Sequence, residues 1–192
     1  MTNKILIGVS GDEGSFSEEA GLAYANQIGI QLSLSYLIDM EGVLSAVESG
    51  KVDMGIFPIV NLNGGLVTMA IEAMGNHLFT PVDEIWLDVK QCLLARPGIN
   101  SNQITSIVSH PQALSQCEQY ISKEFSNVVR VDYQDTAKAA RDLANGAFDP
   151  FSAVIAPKRS SDIYGLDIIA ENIQESNPNL TAFIVVKKHI IK

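Results

Sequence analysis

Cysteine is nearly absent from this chain: Cys92 and Cys117 are the two in 192 residues, and no metal-ligand spacing surrounds either. A disulfide framework and a cysteine-built zinc site are therefore not expected, and both thiols read as small buried apolar groups. Histidine is scarce as well, and His77, His110 and His189 are too scattered in sequence to suggest a metal cluster. Basic residues number 13 against 22 acidic ones, a formal net charge of −9. No run of Lys and Arg offers a local exception, so a nucleic-acid footprint is not expected. Any anionic ligand would have to be met by local dipoles and a few cations. No stretch approaches the ~18 apolar residues of a membrane helix, and the apolar run in MTNKILIGVSGDEG is too short for a secretory signal. A cytoplasmic protein with no membrane partner is the expectation. Internal repeats and low-complexity linkers are missing too.

What is present is an ordered, core-forming composition, 46% hydrophobic and 18% charged. The length allows one domain or two compact lobes. A design recurs along it: an apolar strand, a polar corner, then a helix. Residues 5–9 are a short strand running into Gly11-Asp12-Glu13-Gly14-Ser15-Phe16-Ser17 and a helical pattern of Ala20, Ala23, Tyr24 and Ile28. That corner lacks the Lys-Ser/Thr of a P-loop and the G-x-G-x-x-G spacing, so a nucleotide site is not expected there. Ile30, Leu32, Leu34 and Tyr36 alternate with polar residues, the period of a half-buried strand. Asp39 then caps a helix that Gly50 ends. Residues 52–59 form a strand whose pairing Pro58 is expected to stop, and Asn61-Leu62-Asn63-Gly64-Gly65 turns the chain into another helix. Thr80-Pro81 reads as a break between lobes, and residues 85–95 as one long extended crossing segment. Further on come a strand at 128–133, a corner at Asp135-Thr136 with an alanine-rich helix, a strand at 153–156, a helical turn from Pro157 to Gly165, and extended segments at 166–169 and 181–186.

Between these lies ITSIVSHPQALSQCEQYI, residues 104–121, the stretch around which the chain is organised. Ile104, Ile107 and Val108 favour a strand, Ser109 suits an N-cap, Pro111 suits a first helical turn, and Ala113, Leu114, Cys117 and Ile121 follow at helical spacing. The helix start would favour an anion, with Ser109, His110, Gln112 and Gln116 nearby. A capped turn that binds nothing is the competing reading, and His110 reads more simply as a residue holding the Pro111 turn than as a proton carrier. Ser15, Ser17, Asp135 and Thr136 can likewise be helix caps alone. Alternating strands and helices predict an α/β fold with mostly parallel pairing and ligand sites at strand ends.

Taken together, residues 11–186 resemble the prephenate dehydratase family. Its G-P-x-G-S-F/Y-S turn is matched by residues 11–17, and its S-H-P-Q-A-L-x-Q-C by Ser109 to Cys117 residue for residue. Residues 52–59 lead into the place of P-I-E-N-S, Asp135-Thr136-Ala137 takes that of S-T-A, Tyr164-Gly165-Leu166 follows, and Asn179 to Phe183 takes that of N-x-T-R-F. The resemblance implies a two-lobed fold of the type II periplasmic-binding-protein kind with the active site in the inter-lobe cleft. Lobe 1 is expected at 1–80 and 167–192, and lobe 2 at 81–166. It implies conversion of prephenate to phenylpyruvate with loss of CO2 and water, no metal or organic cofactor, and a homodimer. With Lys192 only a few residues after the Thr181 strand and no helix before Ile5, a catalytic domain alone, without ACT or chorismate mutase domains, is the expectation. Thr181, Asn61, Ser109 and Gln116 carry over as catalytic residues. Ser15, Phe16, Ser17, His110, Gln112, Thr136 and Phe183 carry over as substrate-binding ones. The pattern breaks at Val60, where the family has Glu, at Leu62 and Asp135, where it has Ser, and at Ala182, where it has Arg. A decarboxylase that keeps the hydroxyl, or a non-catalytic sensor, are the alternatives those breaks raise.

Overall fold

A computed structural model describes residues 4–190. The chain runs through β1 (Ile5–Ser10), α1 (Phe16–Ile28), β2 (Leu32–Leu37), α2 (Met40–Ser49), β3 (Met54–Asn61), the short β4 (Gly65–Leu66), α3 (Thr68–Asn76) and β5 (Phe79–Asp88). It continues as β6 (Gln91–Ala95), β7 (Ser106–Ser109), α4 (Pro111–Gln116), α5 (Glu118–Glu124), β8 (Val129–Asp132), α6 (Thr136–Ala144), β9 (Ser152–Pro157), α7 (Lys158–Tyr164) and β10 (Asp167–Glu171), and returns as β11 (Leu180–Lys188). The described residues fall into two units: 4–12, 16–88 and 180–190 in the first, 13–15 and 89–179 in the second.

The first unit's sheet has the order β2-β1-β3-β11-β5, with β4 on β3. β1 is parallel to β2 and β3, whereas β11 runs antiparallel between β3 and β5. The second unit's sheet has the order β10-β6-β9-β7-β8, parallel only where β7 meets β8 and β9. Both sheets are thus mixed, not mostly parallel. A parallel neighbour requires a crossover, and β11 arrives at β3 and β5 without one inside its own unit.

Strand pairing also moves the expected boundaries. β5 pairs with β11 from Leu180↔Asp88 to Lys188↔Phe79, which keeps residues 79–88 in the first unit. β10 pairs with β6, which keeps residues 167–171 in the second. The divisions therefore fall after Asp88 and Asn179, not near 80 and 167. Pro81 is tolerated because β5 ends its sheet, where a missing N–H breaks no second ladder. Pro58 does not stop its strand either. The β3–β11 register shifts between Ala182 and Phe183, leaving Ile59 as the extra residue of a bulge, and pairing resumes at Val60 and Asn61.

Local signals place the elements well. Asp39 Oδ1 accepts from Gly42 N–H at 2.8 Å to start α2, and Gly50 closes it at φ 76°, in the left-handed region that glycine enters freely. One helix of the first unit packs very closely on the sheet. A Cβ on Gly55 would lie 2.7 Å from Val43 Cγ1 and 2.9 Å from Val47 Cγ2, so its absence sets the distance between β3 and α2. Alternation along β11 divides the core: Phe183 and Val185 pack with Ile7, Val9, Tyr24 and Ile56 on one face, Ile184 and Val186 with Val43, Val47 and Phe57 on the other. In the second unit, Cys92 and Cys117 are both free and buried. Burial pushes the Cys117 thiol up to about 12, which leaves it unreactive at neutral pH.

His77, just after α3, bridges two carboxylates of α2, with Nδ1 2.7 Å from Glu48 Oε2 and Nε2 2.6 Å from Glu41 Oε1. Both ring nitrogens face acceptors, so the imidazolium is favoured. Hydrogen bonding to Glu48, and then to Glu41, raises the pKa of His77 against the opposing effect of partial burial. The stabilisation is full below the ordinary histidine value of about 6.5 and is lost as pH rises through the higher folded value. Urea midpoints should accordingly fall between pH 6 and pH 9, and His77→Gln should flatten that fall. An unchanged pH profile in the variant would remove this account.

Candidate active site

Two polar constellations emerge, one in each unit. In the first unit β3 ends at Asn61 directly opposite Thr181 of β11. Asn61 is 2% exposed and Thr181 7%. Asn61 Oδ1 accepts from the backbone N–H of Asn63 at 3.0 Å and of Gly64 at 2.7 Å, tying the carbonyl end of the amide to the turn. The amide's other end is thereby aimed at Thr181, and Nδ2 donates to Oγ1 at 2.8 Å. A threonine hydroxyl can accept and donate at once, so Thr181 is oriented by Asn61 and keeps its own proton to give. This is an arrangement that can stabilise a departing oxygen.

Ser17 lies in the first turn of α1 and shares a 2.9 Å hydrogen bond with Ser10 at the end of β1, both being buried. Phe16 packs against the same apolar layer as Phe183. Phe183, expected as a substrate contact, is 1% exposed and surrounded by core side chains. Alternation on β11 turns it into the layer beneath α1, so it is a core residue.

The second unit holds Ser15, Ser109, His110, Gln112, Gln116 and Thr136. Ser15 is buried in the turn of residues 13–15, whose backbone carbonyls are held from α7: Tyr164 Oη donates to Glu13 O at 2.6 Å and Ser160 Oγ to Gly14 O at 3.2 Å. Ser109 is not the expected N-cap. Its hydroxyl, 0% exposed, donates across the sheet to Ile155 O at 2.7 Å. His110 caps α4 instead, Nδ1 accepting from Gln112 N–H at 3.2 Å. Burial holds the His110 pKa below its ordinary value, against the carboxylates of Asp135 and Asp132. A neutral ring with Nδ1 as acceptor suits the structural role. The helix breaks at Cys117, which closes α4 and opens α5, where one continuous helix was expected. Thr136 opens α6 behind its N-cap Asp135, whose Oδ1 accepts from Lys138 N–H at 2.7 Å.

Gln116, at the end of α4, joins a chain of amides. Asn179 Nδ2 donates to Val89 O at 3.0 Å and to Gln116 Oε1 at 3.2 Å, and Gln91 Nε2 donates to the same Gln116 Oε1 at 3.3 Å. Gln174 Oε1 accepts from Gln91 N–H at 2.9 Å. Gln91 and Gln174 were not anticipated. The available signal was a glutamine opening the otherwise apolar run QCLLA, a polar side chain that had to be buried with partners. A cavity of about 530 Å³ in this unit, lined by Asn100, Tyr120, Glu124, Phe125 and Ile168 among others, contains none of the expected site residues. Among the described residues no three His, Cys, Asp or Glu side chains group as a metal site, and no helix is long and apolar enough to cross a membrane.

The sequence pattern of prephenate dehydratase matches residues 7–190. The chain belongs to the prephenate dehydratase family. It is 36% identical over 189 residues to arogenate dehydratase 1 of Petunia hybrida, covering 97% of this chain and 43% of that protein. The chain spans about half the length of the curated relatives it matches, 42% and 48% in two Arabidopsis thaliana dehydratases. The fold is similar to that of a prephenate dehydratase from Arthrobacter aurescens solved with L-Phe, at TM-score 0.85 and 24% identity over 97% of this chain and 61% of that one. It is also similar to an ABC-transporter periplasmic substrate-binding protein from Coxiella burnetii, at TM-score 0.55 and 15% identity over 96% of this chain and 84% of that one. The α/β architecture is thus that of the prephenate dehydratase and periplasmic-binding-protein folds. Within this prephenate dehydratase domain, Val60 and Ala182 belong to one feature of the sheet. They are direct cross-strand partners, and Leu66 and Trp86 extend the same row on either side. Cross-strand partners share a sheet face, so Leu66, Val60, Ala182 and Trp86 form one apolar row.

Proposed function

We propose that this chain is a prephenate dehydratase, a carbon–oxygen lyase of phenylalanine biosynthesis. The ring carboxylate leaves as CO2, its bonding electrons complete the aromatic ring, and the 4-hydroxyl departs with the electrons of its C–O bond and takes up one proton from solvent to become water. The observation that carries this reading is the buried Asn61–Thr181 hydrogen bond. An alcohol is too weak an acid to protonate the leaving group outright, so Thr181 donates a hydrogen bond to the oxygen as charge develops on it. Gln116 is assigned to hold a substrate carboxylate. Arogenate, with an amino group in place of the side-chain ketone, is the second candidate substrate, favoured by the Petunia arogenate dehydratase. Homodimeric assembly belongs to the same proposal on the family resemblance, and a cytoplasmic setting on the two free thiols.

Incubation with each substrate separately, followed by product analysis, decides. Phenylpyruvate from prephenate, or phenylalanine from arogenate, is expected. A non-aromatic decarboxylated hydroxy acid would establish the decarboxylase instead, and unchanged substrate recovered from a stable complex would establish a sensor.

A further inference from the structure

We propose that Gln91 is a positioning residue, fixing the Gln116 side-chain amide so that its NH2 end is the one presented to substrate; this rests on the dehydratase reading above. The orientation follows from a backbone group. Val89 O can only accept, so Asn179 must direct Nδ2 toward it at 3.0 Å. The same Nδ2 lies 3.2 Å from the Gln116 amide, which must then offer its oxygen. That oxygen in turn requires a donor from Gln91, whose Nε2 is 3.3 Å away. Two donors converge on one carbonyl oxygen and occupy both its lone pairs. Gln116 is locked against the amide flip that would exchange its ends.

The chain of constraints ends in a sacrifice. With Nε2 turned to Gln116, Oε1 of Gln91 points the other way, and among the described residues it is the buried side-chain polar atom without a partner. Gln91 is 3% exposed. A purely structural core would fill this place with an apolar side chain of similar shape, since a buried acceptor without a donor destabilises the fold and its replacement by a matched apolar group is neutral or stabilising. A glutamine that makes the fold less stable while orienting a neighbour is what a functional requirement produces. The direction of the lock also suits the chemistry. An NH2 group can donate to a carboxylate of the dianionic substrate, whereas the opposite end would present an oxygen to it.

The test is Gln91→Met, which keeps the volume and removes both the donor and the stranded oxygen. The thermal midpoint should stay level or rise. KM should increase about tenfold with kcat within twofold, the pattern of a lost ground-state contact. In a Gln116→Met background the same change should leave KM where it is, because Gln91 acts only through Gln116. Wild-type KM in Gln91→Met, a midpoint lowered by several degrees, or an equal KM effect in both backgrounds would overturn the proposal while leaving the dehydratase reading intact. A wild-type chain that converts neither prephenate nor arogenate would remove that reading and the proposal with it.

Discussion

Thr181→Val should fold and lose two to three powers of ten in kcat. Valine matches threonine in shape and β-branching, so β11 keeps its propensity and its place between β3 and β5. What disappears is a hydroxyl that accepts from Asn61 Nδ2 at 2.8 Å and is thereby oriented to donate to the departing oxygen. Removing one hydrogen bond made chiefly in the transition state is commonly worth about 2.7–4 kcal/mol in kcat. The substrate's carboxylates are untouched, so KM should change little. Stability should fall by about 1 kcal/mol, because Asn61 loses an acceptor in a buried place. Thr181→Ser, which restores the hydroxyl, should recover most of the rate. Steady-state kinetics beside a urea melt separate the two effects. Wild-type turnover in a folded Thr181→Val would mean that Thr181 is a β-strand residue and no more.

A second large effect is expected at the apolar row. Ala182 is 1% exposed and stands between Val60 on β3 and Trp86 on β5. Ala182→Arg would place a guanidinium beside two apolar neighbours with no carboxylate in the row, and an unpaired buried charge costs about 3–5 kcal/mol. Val60→Glu places an acid directly opposite position 182. Combined with Ala182→Arg it should return about 1–3 kcal/mol of the loss, the coupling normal for residues in contact. The comparison is a double-mutant cycle by urea denaturation of the four proteins. Strict additivity would show that the two positions are independent.

Much of this protein was legible in its residues. Asp39 and Gly50 bracket α2 because a carboxylate caps exposed N–H groups and a glycine enters the left-handed region without strain. Gly165 closes α7 for the same reason, at φ 65°. Alternating strand and helix patterns set the α/β class, and SHPQALSQC with Thr181 led to the family. These signals are short-range: periodicity, capping and motif spacing act between residues a few positions apart, where the chain itself enforces proximity.

Only the tertiary structure decided which strands meet. That β11 runs antiparallel between β3 and β5 moved the unit boundaries to Asp88 and Asn179, turned Phe183 into the core, and set Val60 against Ala182. It also brought Asn61 to Thr181 across 120 positions, and Gln91 and Asn179 to Gln116. Such pairings depend on which apolar faces can be buried together and which buried amides then find partners. Those are properties of the whole packed sheet, and no window of sequence around Thr181 or Gln116 contains the residue that orients it.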